Sequence, residues 1–155
     1  GRSCVLAPYR TRPTVELLWQ GFWNFVRLHK LDVMLGCASL IGTDPDKLRI
    51  ELSFLHHYCR APRQWDAPAT AMRRTDMNRL AKDEVDPRAA LRALPPLIKG
   101  YLRLGAYIGD GAVIDHQFNT TDVLIILPID AIDPRYFERF GAPEETPPGV
   151  TAQQA

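Results

Sequence analysis

Two polar clusters in this chain carry residue types suited to chemistry. The first is Asp115-His116 with Asn119-Thr120-Thr121-Asp122, set between the apolar runs Ala112 to Asp115 and Asp122 to Ile129. A carboxylate at the end of a strand facing a cleft can bind an amine or take its proton, the work of a general base. The same residues suit plain turn chemistry, because Asn and Asp bond their own backbone and tolerate left-handed conformations. Both readings stay open. The second cluster is the basic turn Tyr9-Arg10-Thr11-Arg12-Pro13, between Ser3-Cys4-Val5-Leu6 and the run from Thr14 to His29. A strand feeding a helix N-terminus points free N–H groups and the positive end of the helix dipole at an anion. Arginines there add charge-assisted bonds to phosphate oxygens. The turn has no glycine, unlike the usual dinucleotide or ATP cradle. A third candidate, His56-His57-Tyr58, falls at a helix end. Adjacent helical residues face different ways, so the two histidines do not make a metal pair. A histidine there can interact with the helix C-terminus; Tyr58 or a histidine serves as proton donor if it lines a cleft.

Several familiar chemistries have no motif. GxSxG, a Walker loop, GxGxxG, HExxH and zinc-ligand spacing are all absent. The 155 residues fit one domain with a real core, and the net charge of +1 gives no global field toward nucleic acid or membrane. Arg60, Arg63, Arg73, Arg74 and Arg79 crowd the middle of the chain. They read as a solvated face or, less simply, as a docking patch for an acidic partner. Cys4, Cys37 and Cys59 form no CxxC pair and are expected to be buried, reduced thiols of a cytoplasmic protein. No apolar run approaches the ~18 residues of a membrane helix. The chain lacks an initiator Met and is expected to be the C-terminal part of a longer protein.

These clusters need elements to hold them. Ser3 to Leu6 reads as a strand, and Thr14 to His29 as a helix with Val15, Leu18, Trp19, Phe22, Phe25 and Val26 on one face. Pro13 suits the helix start. Asp32 to Leu40 reads as a strand buried on both faces, completing a βαβ unit. A helix from Asp46 to Tyr58, capped by Thr43 or Asp44, leads into an exposed loop from Ala61 to Asp76. Short helices are expected from Asp86-Pro87 to Leu94 and from Leu97 to Leu104. Short strands follow at Ala106 to Ile108 and Ala112 to Asp115, then the clearest strand, Asp122 to Ile129. Pro128 suggests an edge or the last pair of that strand. Pro134 opens a terminal helix to Phe140. One domain over 1–141 and a disordered tail over 142–155 complete the expected organisation.

The stretch from Leu94 to Leu124, LPPLIKGYLRLGAYIGDGAVIDHQFNTTDVL, is more specific than any of these short motifs. It resembles the C-terminal half of the bacterial ornithine N-acyltransferases, also called hemolysin-like. SCVLAPYR, VELLWQGFW, DVMLGCASLIGTDPD and LSFLHHYCRAP resemble the middle of the same family. The resemblance covers about Gly1 to Gly141. It implies an α/β fold of GNAT-like acyltransferase type, a mixed central sheet with helices on both faces, lacking the family's first strands and helices. In that fold Ser3 to Leu6 would be the splayed strand, with the backbone of Cys4, Val5 and Leu6 along the thioester. Arg10, Arg12 and Thr14 would hold the donor's phosphate, and Asn119 would join the substrate site. The GNAT signature Arg/Gln-x-x-Gly-x-Gly/Ala falls on Arg10 to Val15, with Pro13 and Val15 in place of its small residues.

That departure favours the single phosphodiester of a carrier protein's phosphopantetheine over the pyrophosphate of CoA. The resemblance thus implies transfer of a 3-hydroxyacyl group from acyl carrier protein to the α-amine of ornithine, giving a lyso-ornithine lipid. Asp115 or Asp122 would take the amine proton, with Tyr58 as a further catalytic candidate. No resident cofactor or metal is implied, and a lipid product suggests peripheral contact with the inner membrane. Acylation of another amine, use of acyl-CoA, and an inactive acyl-donor-binding module remain alternatives.

Overall fold

The computed structural model describes residues 5–133 and divides into two units, one containing residues up to Leu31 together with Asp133, the other Asp32–Ile132. The expected terminal helix and tail, and Ser3 and Cys4, lie outside the described residues.

In the first unit Val5 and Leu6 are not in a strand. The chain enters a 3-10 turn, Ala7–Tyr9, in which Tyr9 N–H donates to Leu6 O at 2.9 Å and Arg10 N–H to Ala7 O at 3.3 Å. Pro8 explains the difference: its ring fixes φ and it has no N–H to give a sheet. Helix α1, Arg12–Leu28, starts two residues earlier than the periodicity predicts, with Pro13 in its first turn. Trp23 and Val26 are its buried residues.

The second unit holds the sheet. Its strands are β1 (Val33–Ile41), β2 (Arg74–Thr75), β3 (Tyr107–Ile108), β4 (Ala112–Asp115) and β5 (Thr120–Pro128). The order is β1-β5-β4-β2, with β3 also on β5, and every ladder is antiparallel. One isolated parallel bridge joins Arg60 to Ile108. The α/β class expected from the sequence holds, and the mixed helices and open sheet are consistent with a GNAT-like fold.

Strand β5 is central rather than an edge. It pairs along its whole length with β1, and Pro128 sits at the last pair, opposite Val33, where a missing N–H is tolerated. Strand β1 is not buried on both faces. Ala38 and Leu40 are buried, whereas Leu35, Cys37 and Ile41 are exposed. Antiparallel sheets permit this alternation of a packed and an open face. Cys37 is therefore not the buried thiol expected.

Helices α2 (Arg49–Tyr58), α3 (Pro87–Ala93) and α4 (Pro96–Arg103) complete the unit. Helix α2 starts three residues later than expected. Asp44 instead accepts a bond from Asp46 N–H at 3.1 Å, which makes a turn of the first residues. Asp86 caps α3 by accepting from Arg88 N–H and Ala89 N–H. Leu52, Leu55, Ala90, Ile98, Ile108 and Val123 form the centre of the core.

Ser53, fully buried, ties α2 to the strap over residues 77–80. Its hydroxyl accepts from Arg79 N–H at 3.1 Å and Leu80 N–H at 2.9 Å, and lies 3.4 Å from Met77 O.

Candidate active site

The site grows from a bulge. Strands β3 and β4 lie on the same edge of β5, but Ile108 opposes Ile125 while Val113 opposes Asp122. Residues 109–112 thus face only 123–124, and the extra chain loops out. Gly109 N–H still reaches Leu124 O at 3.0 Å. Gly111 takes φ +85°, and a Cβ there would lie 2.7 Å from Arg74 Cγ, so glycine lets Arg74 cross the bulge.

Asp110, at the tip, gathers the arginines. Arg74 donates to its two carboxylate oxygens at 3.0 and 3.1 Å, and Arg60 approaches within 3.3 Å. Arg60 also reaches Asp66 at 3.3 Å. Asp110 O accepts from Ala69 N–H at 2.7 Å. The bulge is therefore pinned to the segment 66–69. The five arginines that read as a solvated face or an acidic-partner patch are exposed, and Arg60 and Arg74 also tie the bulge; Arg79 pairs with Asp46.

Ala67, Pro68 and Ala69 then wall a cleft of about 450 Å³ on the open face of the sheet. Its floor comes from Cys37, Val113, Asp115, Asp122 and Leu124, and Arg73 and His116 line it as well. The register explains the grouping. Asp115 opposes Thr120 and Asp122 opposes Val113, so both carboxylates share a face as diagonal neighbours. Asp115 Oδ1 accepts from Phe118 N–H at 3.0 Å, so its turn role and its place in the cleft hold together. One oxygen of Asp122 is buried.

The other sequence candidates lie elsewhere. Asn119 adopts φ +54° and its carbonyl accepts from Gly42 N–H at 3.0 Å; it is a turn residue next to the cleft strands. Tyr58 lines a different hollow of about 430 Å³ with Arg60 and Tyr107. Its hydroxyl donates to Lys82 O at 3.2 Å. His57 Nε2 lies 2.9 Å from Leu80 O. His56 has its pKa lowered by burial first, then by the charges of His57 and Arg60.

In the first unit, Arg10 donates through Nε to Val5 O at 2.9 Å, and Arg12 pairs with Glu16 at 2.9 Å. Thr14 Oγ1 is 3.1 Å from Thr11 Oγ1. Leu6 is exposed. The cleft residues that sequence reasoning missed are Cys37 and Arg73. Cys37 sat in a run that looked uniformly buried, and Arg73 in a loop with no periodicity. Among the described residues no group of His, Cys, Asp and Glu could hold a metal ion, and no helix is long and apolar enough to cross a membrane.

Fold and site together define an α/β chain with a carboxylate-lined cleft on an antiparallel sheet. Comparison with known proteins gives this class its relatives. The chain is 55% identical over 142 residues to the L-ornithine N(alpha)-acyltransferase of Brucella abortus (strain 2308), covering 92% of this chain and 50% of that protein. It is 51% identical over 145 residues to the protein of the same name from Agrobacterium fabrum (strain C58), covering 94% and 50%. A third so named, from Rhodobacter capsulatus, is 40% identical over 138 residues, covering 89% and 52%. The chain spans about half the length of the curated relatives it matches. The resemblance read from Leu94 to Leu124 is thereby borne out: the chain is a homologue of the L-ornithine N(alpha)-acyltransferases. No family model and no solved structure matches it.

Proposed function

We propose that this chain contributes to N-acylation of ornithine, moving a 3-hydroxyacyl group from acyl carrier protein to the α-amine in lyso-ornithine lipid synthesis. The observation that carries this reading is the 55% identity over 92% of the chain to a protein named for the reaction. The cleft supports it, because it places Asp115 and Asp122 on one face of the sheet.

The neutral α-amine attacks the thioester carbon. A new C–N bond forms, the C–S bond breaks, and the sulfur leaves as the thiol of the donor. Asp122, with Asp115 nearby, accepts the proton the amine loses, directly or through water, and returns it to the departing sulfur. The basic turn of the first unit is the donor's phosphate point. Arg12 makes an exposed i,i+4 pair with Glu16 there. Such a pair is worth about 0.3–0.5 kcal/mol and yields to a phosphate. The amphipathic products of this reaction partition to the inner membrane surface, where the protein acts peripherally.

The test supplies ornithine with matched 3-hydroxyacyl donors, on carrier protein and on CoA, and identifies the product by mass spectrometry. N-acylornithine formed faster from the carrier-protein donor supports the reading. Faster transfer from CoA overturns the donor assignment. Acylation of other amines in preference to ornithine overturns the acceptor. A donor that binds with no transfer at all leaves only a binding module.

A further inference from the structure

We infer that the exposed apolar stripe of α1 is a protein-docking surface, and that its occupant is the part of the acyltransferase fold that the relatives carry outside their match with this chain. Helix α1 is apolar on two adjoining stripes. Trp23 and Val26 form the buried one. Val15, Leu18, Phe22 and Phe25 form the other, at 49%, 40%, 48% and 56% exposure. At about 100° per residue these four fall within about 80° of one another, a single stripe down the helix. Single exposed apolar residues need no explanation, but a contiguous row with two aromatic rings marks an interaction site. Aromatic side chains are common anchors of protein interfaces.

Length identifies the occupant. The match that covers 92% of this chain covers 50% of the Brucella abortus relative, and the one that covers 94% covers 50% of the Agrobacterium fabrum relative. Each relative therefore carries a second stretch about as long as this chain. A lipid surface fits less well. Interfacial helices set Lys and Arg against anionic lipid, whereas the charged residues of α1 are Arg12, Glu16 and Arg27, and Arg12 pairs with Glu16 at 2.9 Å.

The second unit, taken by itself, also presents a surface suited to protein. Strand β1 ends the sheet order, and among the described residues only β5 pairs with it. Its nine residues hold no charge and no proline, the devices that blunt a free edge. Leu35 and Ile41 stand exposed on it. Folded polypeptide can pair such an edge; lipid tails offer it no hydrogen bonds.

The test is hydroxyl-radical footprinting of two intact proteins, this chain and the full-length Brucella abortus relative, read by mass spectrometry. Phe22 and Phe25 are expected to be oxidised in this chain, and the aligned residues of the relative to lose that labelling. Lysine substitution gives a second readout. Phe25→Lys is expected to leave the urea midpoint of this chain unchanged, because the ring is already largely exposed. Lysine at the aligned position of the relative is expected to lower its folding equilibrium about 10²–10³-fold, the loss when a large apolar side chain gives up its burial. Equal oxidation in both proteins overturns the inference. So does protection of the two phenylalanines within a dimer of this chain, seen by light scattering, which makes a second copy the occupant. Protection of this chain on phosphatidylglycerol vesicles, with the relative unprotected in solution, makes the occupant lipid and overturns the inference as well. The acyl-transfer reading stands under each of these outcomes, since none of them measures transfer.

Discussion

Gly109→Ala should damage the cleft without touching a charge. The Cβ it adds would lie 2.7 Å from Ala67 O and 3.1 Å from both Cβ and Cδ2 of Leu124. Ala67 and Leu124 are opposite parts of the cleft lining. The nearer atom is backbone and cannot swing aside as a flexible side chain would. It can retreat only with the segment that Ala69 N–H ties to Asp110 O at 2.7 Å. Overpacking of this kind costs about 1–3 kcal/mol. Gly36 is the control, since a Cβ there meets nothing within 4 Å and its φ is not in the left-handed region. Gly36→Ala should be neutral or stabilising by up to about 1 kcal/mol, through loss of unfolded-state freedom. Urea unfolding of the two variants gives the comparison, and ornithine titration reports the cleft. A Gly109→Ala chain as stable as wild type and with unchanged affinity would refute the geometry argued for the bulge. So would equal destabilisation by the two substitutions.

Ser53→Ala strands the N–H groups of Arg79 and Leu80 that its hydroxyl satisfies; at about 1–3 kcal/mol per unsatisfied buried group, a loss of ~2–4 kcal/mol should appear in urea melts. Thiol labelling followed by mass spectrometry at pH 8 should find Cys37 modified well before Cys59, because Cys37 is exposed while burial pushes the Cys59 thiol up to about 11. Stability should fall on acidification through the ordinary histidine range near 6.5. The folded chain holds His56 below that value, so the unfolded chain binds the proton more readily and stability rises with pH there. Urea midpoints at pH 5.5 and 7.5 should differ less in His56→Gln than in wild type; an identical difference would remove His56 as a source.

Much of the second unit was legible from pattern. Ala112 to Asp115 is a strand as read, and Asp122 to Ile129 is shifted by only one or two residues, because alternation and β-branched residues mark them strongly. Asp86 and Pro87 announce their helix through capping chemistry. The first strand was not legible in its burial. An apolar run such as Val33 to Ile41 fits a parallel interior strand and a half-open antiparallel one equally well. Only pairing decides, and pairing is non-local. The same holds for the site. Asp115 and Asp122 could be named from type and position, but their shared face follows from register. Arg73 and the Arg60–Asp110–Arg74 tie bring together residues up to 50 positions apart, from Arg60 to Asp110, and no local spacing encodes that. At the basic turn, Pro8 was the overlooked signal against a strand through Leu6.

The central claim is that the cleft carboxylates take the proton from an acceptor amine. The direct measurement is the single-turnover rate of acyl transfer to ornithine by wild-type chain and by Asp122→Asn, at saturating donor and acceptor. Asparagine keeps the size and cannot take the proton. The account predicts a rate loss of about 10²–10⁴. An Asp122→Asn chain that transfers the acyl group at the wild-type rate would contradict it.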